Sequence, residues 1–372
     1  MPEPPEIRCN LKVYRLRRGW SQEELARRIH IKRQAVVDLE KGRYLPNTLS
    51  ALRLAKVFNC AVEDLFMLWE ENEQELSLPD EGLPAGTRLA VGKVRDRLVG
   101  LALHASMPFT LRAADGLLSG PNRARLHASP QALEESLLLA GCDPALDLLD
   151  DHLRRALPTA RVRCLFASSG RALELLAGGC IHAASSHFHN DGEGEGEANV
   201  EALRAATGGA ALPCRVTAFA NLEEGLMTAK GNPLEIRSPG DLARPGVRFV
   251  NRESGAALRR LLDRHLAACG VPASMVEGYT REVRSHGEGA CRTACGAADA
   301  ALGPRAAADA FGLDFIPLAV TRCDVIIPLD LEQHPVAAAL LDLMHSGRLR
   351  RELAALPGYD SSVTGKEIAV LA

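Results

Sequence analysis

The chain has 372 residues, 47% of them hydrophobic and 24% charged, with a formal net charge of −3, which is ordinary globular material long enough for two or three cores. No apolar run approaches the ~20 residues of a membrane-spanning helix, and "MPEPPEIRCN" has neither the basic start nor the apolar core of a secretory signal, so the chain is expected in the cytoplasm with its ten cysteines reduced and packed as small core residues. The charge is uneven: residues 1–66 hold 13 Lys and Arg against 8 Asp and Glu, a net of +5, and the remainder carries −8, so only the head is suited to a polyanion.

In the head, apolar residues at Ile7, Leu11, Tyr14 and Leu16 predict a helix closed by Gly19. Ser21 ahead of Gln22, Glu23 and Glu24 is an N-cap with its acid three residues on, and Leu25, Ala26 and Ile29 form the buried face of a second helix. A very short turn leads to "HIKRQAVVDLEKGRYLP", with Ile31, Val36 and Leu39 apolar and Gly42 at its end, and "TLSALRLAKVFNCAVEDLF" supplies further helices. Five short helices share one small core. The run "GWSQEELARRIHIKRQAVVDLEKGRYLPNTLSALRLAKVFNCAVEDLF" resembles the Cro/repressor-type helix-turn-helix, the XRE family, over residues 6–66.

That resemblance implies double-stranded operator DNA as partner, with the second helix of the motif in the major groove. Carried over by position, Lys32, Arg33, Gln34 and Asp38 face base edges, Val37 meets a thymine methyl, and Gln22 and Arg43 touch phosphates. The chemistry agrees, since an arginine fork suits guanine and a glutamine amide suits adenine. Asp38 departs from the longer polar residue common in the family. A single such head contacts few bases, so a homodimer on half-sites about 34 Å apart is expected.

Residues 69–135 read as a linker with a small β segment. "WEENEQELSLPDEGLPAGT", 69–87, is acidic, rich in Pro and Gly and without an apolar period, hence a tether. "RLAVGKVRDRLVGLALH" reads as two strands around the "RD" turn and "FTLRAADGLL" as a third. "NDGEGEGEAN", with Glu193, Glu195 and Glu197, reads as a surface loop, with a cation site as the alternative.

Beyond residue 135 the chain repeats one device, an apolar strand running through small polar residues into a helix. "ESLLLAGC" leads to "DPALDLLDDHLRRAL" with Asp143 as cap and Pro144 at the first helical position; "ARVRCLFAS" leads to "SGRALELLAGG"; "GVRFVNRESGAALRRLLDRHL" is the third. Further strands at "CIHAASSHF", "ADAALG" and "LDFIPLA", with helices near 286–296 and 304–311, make the pattern that of parallel sheets flanked by helices. In such sheets the ligand sits beyond the carboxyl ends of the strands, facing helix N-termini that prefer an anion. Ser168, Ser169, Asn251 and Ser254 offer side-chain donors there, Arg252 offers charge, and Gly255 admits close backbone approach.

Residues 136–372 resemble the type 2 periplasmic-binding-protein fold, and more narrowly the cytoplasmic PBP-like domain related to molybdate-binding proteins. "AGCDPALDLL", "SSGRALELLAGGCIHAASSHF", "GNPLEIRSPGDLARPGVRFVNRESGAALRRLLD", "VEGYTREVRSHGEGACRTACGAADAALG", "GLDFIPLA" and "LPGYDSSVTGK" carry the likeness. It implies two lobes closing on an oxyanion, molybdate or tungstate foremost, with hinges near 215–230 and 320–328. By position it adds Cys142 at the first rim turn, Tyr279 and His286 in the second lobe, and Gly303 as a backbone contact, while Asp143 at a helix start is assigned to capping. The loop "DGEGEGEAN" before Asn199 departs from the family pattern.

Other chemistries are less well served. Cys291 and Cys295, four apart and near His286, are read as packing residues before metal ligands, and His187 and His189 share a strand face that offers at most a weak metal site. Ser168 and Ser169 lie in no G-x-S-x-G, S-x-x-K or P-loop context, so no enzyme, catalytic cofactor or metal is expected. The expectation is a multidomain chain: an all-α helix-turn-helix head on an α/β, two-lobed, periplasmic-binding-protein-like body, acting as a transcriptional regulator that answers to an oxyanion. The alternatives are a regulator sensing a small organic anion, such as a carboxylate metabolite or pterin phosphate, and a molybdenum-cofactor biosynthesis factor.

Overall fold

The computed structural model describes residues 6–69, 73–103, 112–189, 198–209 and 212–371, and its contacts part residues 1–73 from 74–372 as two units. In the first, β1 (Glu6–Cys9) leads into α1 (Leu11–Arg17), α2 (Gln22–Ile29), α3 (Arg33–Glu40), α4 (Thr48–Phe58) and α5 (Val62–Leu65). β2 (Phe66–Trp69) then returns antiparallel to β1, with Glu6 opposite Trp69 and Cys9 opposite Phe66. Two expectations are corrected here. Ile7 belongs to a strand, so the first helix begins at Leu11, and the five helices are tied at their ends by a two-stranded sheet that local periodicity does not report. Ser21 Oγ accepts the Glu24 amide at 3.1 Å and Asn47 Oδ1 the Ser50 amide at 2.9 Å, capping α2 and α4. Gly19, at φ +69°, takes the left-handed exit after α1 without steric cost. Leu11, Leu25, Ile29, Val36, Leu39, Leu54 and Phe58 fill the core.

The second unit opens within β3 (Glu73–Glu75), whose first residue falls in the first unit, and continues through β4 (Arg88–Val94), β5 (Arg97–Ala102), β6 (Gly116–Gly120) and β7 (Arg123–Leu126), in a sheet ordered β3-β7-β6-β4-β5. The Ser77 amide donates to Leu98 O at 2.8 Å and the Gly100 amide to Ser77 O at 3.0 Å, bringing the two ends of this order together. The expected hairpin around Arg95 and Asp96 is β4 and β5; of "FTLRAADGLL", residues 109–111 lie outside the described residues and Gly116–Leu118 fall in β6. The stretch 69–87 is more than a tether, because Leu76 is buried and Leu78 and Leu83 pack on Leu89, Val91 and Leu118. Leu76 and Leu78 alternate with polar neighbours, a strand pattern masked by the acidic, Pro-rich composition around them.

α6 (Pro130–Glu134) leads into β8 (Ser136–Gly141), α7 (Asp147–Ala156), β9 (Arg161–Phe166), α8 (Ser169–Ala177), β10 (Ala183–Ser186), α9 (Ala198–Ala206) and the long β11 (Cys214–Thr228). Then come β12 (Phe249–Arg252), α10 (Ala257–Ala268), β13 (Glu282–Val283), α11 (His286–Ala294), β14 (Ala300–Pro304), α12 (Arg305–Ala310) and β15 (Asp314–Pro328). α13 (Pro335–Met344), α14 (Gly347–Leu353), β16 (Tyr359–Asp360) and β17 (Glu367–Leu371) complete the chain. The main sheet runs β13-β12-β14-β11-β15-β10-β8-β9, with β16 and β17 also on β11. It is mixed, not parallel throughout: β8 pairs in parallel with β9 and β10, and β12 with β13 and β14, but β11 and β15 are antiparallel to each other. The chain leaves one lobe on β11 and comes back on β15, which sets their opposite directions.

These two strands divide the cores. Val216, Phe219 and Leu222 of β11 pack with Val325 and Ile327 of β15 in the first lobe, whereas Leu226 packs with Ile316 and Leu318 in the second. The change of core falls at an irregularity in the ladder between Glu224 and Gly225. Gly225 is required there, since a Cβ would stand 2.0 Å from the Ile316 carbonyl oxygen. All ten cysteines are free thiols, but Cys269 and Cys295 are exposed, so the expectation of uniformly packed cysteines fails at those two. Among the described residues no helix is long and apolar enough to cross a membrane.

Candidate functional site

In the head, Val36 and Leu39 turn inward, which leaves Lys32, Arg33 and Gln34 exposed at the start of α3. Asp38 is half-buried and organises its neighbours: its Oδ1 accepts from Gln34 Nε2 at 3.1 Å and from Arg43 Nη1 at 2.8 Å. The departure at this position therefore fixes the placement of Gln34 and Arg43. Val37 is half-buried beside them. Gln22 Nε2 donates to Glu40 Oε2 at 2.9 Å, and Glu40 Oε1 meets Arg15 Nε at 2.5 Å, so Gln22 also belongs to a knot joining α1, α2 and α3. Burial pushes the Glu40 carboxyl up, but the Arg15 and Gln22 hydrogen bonds outweigh it and hold the group below its ordinary value. Sequence reasoning missed this knot, because Arg15 and Glu40 look like surface charges on separate helices.

In the body, the turns after β8, β9 and β10 meet the turns after β12 and β13. A Cβ on Gly170 would lie 3.3 Å from the Gly255 carbonyl oxygen, so the Ser168–Gly170 and Ser254–Gly255 turns of opposite lobes touch. Gly255 holds φ +87°, the left-handed conformation that suits glycine. Arg252 is 1% exposed; its Nε and Nη2 hold the two carboxylate oxygens of Glu253 at 2.9 Å each, and its Nη1 donates to His286 Nδ1 at 2.8 Å. The same guanidinium stands 5.6 Å from the ring centre of Phe166, across the lobes, and His286 packs edge-on to Phe166 at 6.3 Å. Burial, the Arg252 charge and His187 push the His286 pKa well down, leaving a neutral ring that accepts from Arg252.

Facing these from the first lobe, His187 lies 6.5 Å ring to ring from His286. Its Nε2 is 3.6 Å from Cys142 Sγ and 3.5 Å from Glu224 Oε1, while its backbone amide donates to Ser169 Oγ at 3.3 Å. Burial pulls the His187 pKa down, but Cys142 and the Glu224 carboxylate outweigh burial and lift it to about 10. Glu224, fully buried at the crossover of β11, also meets His189 Nε2 at 2.9 Å. Burial raises its carboxyl and the two imidazoles more than compensate, holding it below its ordinary range. Asp143 caps as expected, accepting from the Ala145 amide at 2.8 Å, and also accepts from Tyr359 Oη at 2.5 Å; burial pushes its pKa up.

Asn251 spends its side chain locally, donating to Tyr279 O at 3.1 Å and accepting the Arg252 amide at 2.9 Å. Tyr279 Oη donates to Asp263 on α10 at 2.6 Å, and Gly303 packs within β14 against Met227, where a Cβ would meet Cε at 2.7 Å. Ser168 is buried at the start of α8, whereas the Ser254 side chain is exposed. Cys291 is half-buried and Cys295 exposed, and among the described residues no group of three His, Cys, Asp or Glu is placed to hold a metal. Residues 190–197, with Glu193, Glu195 and Glu197, lie outside the described residues. Glu224 was not foreseen, though an acidic pair inside the otherwise apolar "VTAFANLEEGLMT" was the available signal.

A DNA-reading helix on one unit and a two-lobed, crossover-strand body on the other define a regulator joined to a ligand-binding domain. The helix-turn-helix model matches residues 11–65 and the PBP superfamily domain model residues 150–345. The chain belongs to the PBP superfamily domain family, carrying an XRE-type helix-turn-helix at its head. It is similar to the protein YvgK of Bacillus subtilis (strain 168), 31% identical over 233 residues that make up 63% of this chain and 73% of that one. The head is similar to the HTH-type transcriptional regulator YgzD of the same organism, 45% identical over 66 residues, 18% of this chain and all of that one. A substrate-binding protein of a phosphate ABC transporter from Clostridium perfringens aligns with 59% of this chain and 96% of its own at 12% identity and a TM-score of 0.45.

Proposed function

We propose that this regulator takes a small oxyanion, molybdate or tungstate foremost, between the lobes of its body, and that lobe closure alters how a pair of heads engages operator DNA. The observation that carries the reading is Arg252: a fully buried guanidinium that faces the opposite lobe and already grips a two-oxygen anion, the Glu253 carboxylate. The guanidinium fork matches any planar pair of anionic oxygens, so an oxyanion can take the place of Glu253. Ser169 and His187 from the first lobe and His286 from the second complete the wall, and His187, protonated at neutral pH, adds charge. The choice of molybdate or tungstate rests on the sequence likeness to molybdate-binding proteins. Such a ligand acts only through unequal affinity for open and closed bodies, and a coupling of about 1–3 kcal/mol makes a useful switch.

The function is binding rather than turnover in this reading, and two copies act together because one head reads too short a site. Calorimetric titration of the purified chain with molybdate, tungstate, sulfate and phosphate tests it. Preferential binding of one of the first two, lost in Arg252→Gln, supports it, and silence toward all four removes it.

A further inference from the structure

We propose that the outer face of α4, at Leu49 and Leu52 with Leu45 just ahead of the helix, is the surface through which two copies of the head meet on DNA. The inference rests on the pairing of heads proposed above and names the surface that serves it. α4 carries two apolar faces. Ala51, Leu54, Ala55 and Phe58 are buried, the last three in the core of the head, whereas Leu49 and Leu52 are each 57% exposed and Leu45 is exposed in the loop that leads in. Leu49 and Leu52 stand three residues apart on the helix and so share a face. A surface helix ordinarily turns polar groups to solvent, so a second apolar stripe marks a second partner.

The stripe is tied to the reading helix by short contacts. The loop between α3 and α4 is held on α3 at two points: Arg43 Nη1 donates to Asp38 Oδ1 at 2.8 Å, and Tyr44 Oη donates to Ala35 O at 3.2 Å. Asn47 Oδ1 then caps α4 through the Ser50 amide. These contacts set the outer face of α4 against the start of α3, where Lys32, Arg33 and Gln34 are exposed. Two such faces brought together therefore fix the distance between two copies of α3, as the reading of paired half-sites requires.

Size, charge and symmetry point to a second copy as the occupant. Three half-exposed leucines offer on the order of 250 Å², far below the ~800 Å² per partner of a stable complex. A contact that small counts only between groups already held side by side, as two heads on neighbouring half-sites are. From Lys41 to Ala61 the chain has no Asp or Glu, while Lys41, Arg43, Arg53 and Lys56 are exposed. Two such basic rims repel each other in free solution and are neutralised by phosphates when both heads sit on a duplex. An apolar stripe also pairs with itself about a two-fold axis, the symmetry of inverted half-sites.

Duplexes selected from random DNA by the full parent chain, whole and cut to one half of the selected sequence, test the surface by fluorescence anisotropy. Two copies should occupy the whole duplex, the second binding about tenfold or more tightly than a single copy binds the half. Leu49→Gln with Leu52→Gln, which keeps good helix formers at exposed positions, should remove most of that advantage. The melting temperature should stay nearly unchanged, and the affinity for the half duplex within about twofold. Val13→Gln with Leu16→Gln, a comparably exposed pair on α1, should keep the advantage. An advantage unmoved by the α4 pair would assign the stripe to a partner other than a second copy and overturn the proposal. Equal losses on whole and half duplexes, the same loss from the α1 pair, or a single copy on the whole duplex would overturn it too. A chain that selects no duplex would remove the DNA reading of the head along with it.

Discussion

Arg33 and Gln34 stand in solvent on the first turn of α3, whereas Arg252 and Glu224 of the body are buried to 1% and 0% exposure. The head presents its polar groups to a partner that is itself a dense array of charge, and hydration keeps them soluble until it arrives. The body holds comparable groups out of water, so each must already have a counterpart: Glu253 for Arg252, and His187 and His189 for Glu224. In the proposed function, recognition in the head is an addition, weakened by salt, and in the body it is an exchange of one anion for another. Substitutions should accordingly act on affinity in the head and on stability in the body.

The largest effect should come from Glu224→Gln. Removing this carboxylate leaves the His187 cation buried without its partner, and breaking a buried pair from one side costs about 3–5 kcal/mol. Urea unfolding should show the loss, and the double variant with His187→Gln should recover part of it, because it removes the stranded charge as well. A loss no larger than that of an exposed charge would mean that this cluster is hydrated, and the contrast with the head would fall.

A second body prediction concerns acid. His182 is fully buried; its Nδ1 accepts the Leu138 amide at 2.9 Å and its Nε2 faces Lys93 O at 3.0 Å, a pairing that only the neutral ring satisfies. Burial and the neighbouring His334 depress its pKa to about 4. The unfolded state therefore takes up the proton first as pH falls, so the stabilisation is complete above the ordinary histidine pKa of 6.5 and is lost between there and about 4. Each pKa unit is worth about 1.4 kcal/mol. Unfolding free energies at pH 7, 5.5 and 4.5 should decline more steeply in the parent than in His182→Gln; parallel declines would remove His182 from the account.

In the head the expected losses are smaller and appear in binding. Arg33→Ala and Gln34→Ala should each cost about 1–3 kcal/mol on a specific site, with the melting temperature nearly unchanged. Fluorescence anisotropy on promoter fragments at two salt concentrations separates this from Arg43→Ala, whose effect should be similar on all sequences and should reduce the salt slope by about one. Arg33→Ala binding every sequence with an unchanged ratio would sink its role at a base edge.

The same contrast explains what could be read in advance. The helices of the head follow from Ser21, Gly19 and the spacing of Leu25, Ile29, Val36 and Leu39, all local signals, whereas the end-to-end pairing of Ile7 with Leu68 and the Arg15–Glu40 knot escaped. The strand–turn–helix repeats of the body were equally local, and so were Ser168 and Gly255 as residues of turns, whereas Arg252, expected in the turn, is the last residue of β12. What the turns contain was not. Asn251 and Arg252 are adjacent in sequence, yet one is absorbed by the Tyr279 loop and the other crosses to Phe166, because their side chains leave β12 on opposite faces. Glu224 acquires its meaning only from His187 and His189, brought to it by a different strand.

The smallest effect, and the sharpest check on the locality of the head, is Ser21→Ala. Ser21 Oγ is the side-chain partner of the Glu24 amide at the start of α2, and replacing such a cap by alanine costs about 1 kcal/mol. Gln22 follows it directly and bonds Glu40, so fraying of the first turn of α2 should also loosen the Arg15–Glu40 knot that holds α3. Ser21→Ala should then lower DNA affinity slightly along with stability, whereas Ser21→Asp, which keeps a capping oxygen, should restore both. Loss of stability with DNA affinity intact would show that α3 keeps its place without the knot, and that the reading face is even more self-contained than its contacts suggest.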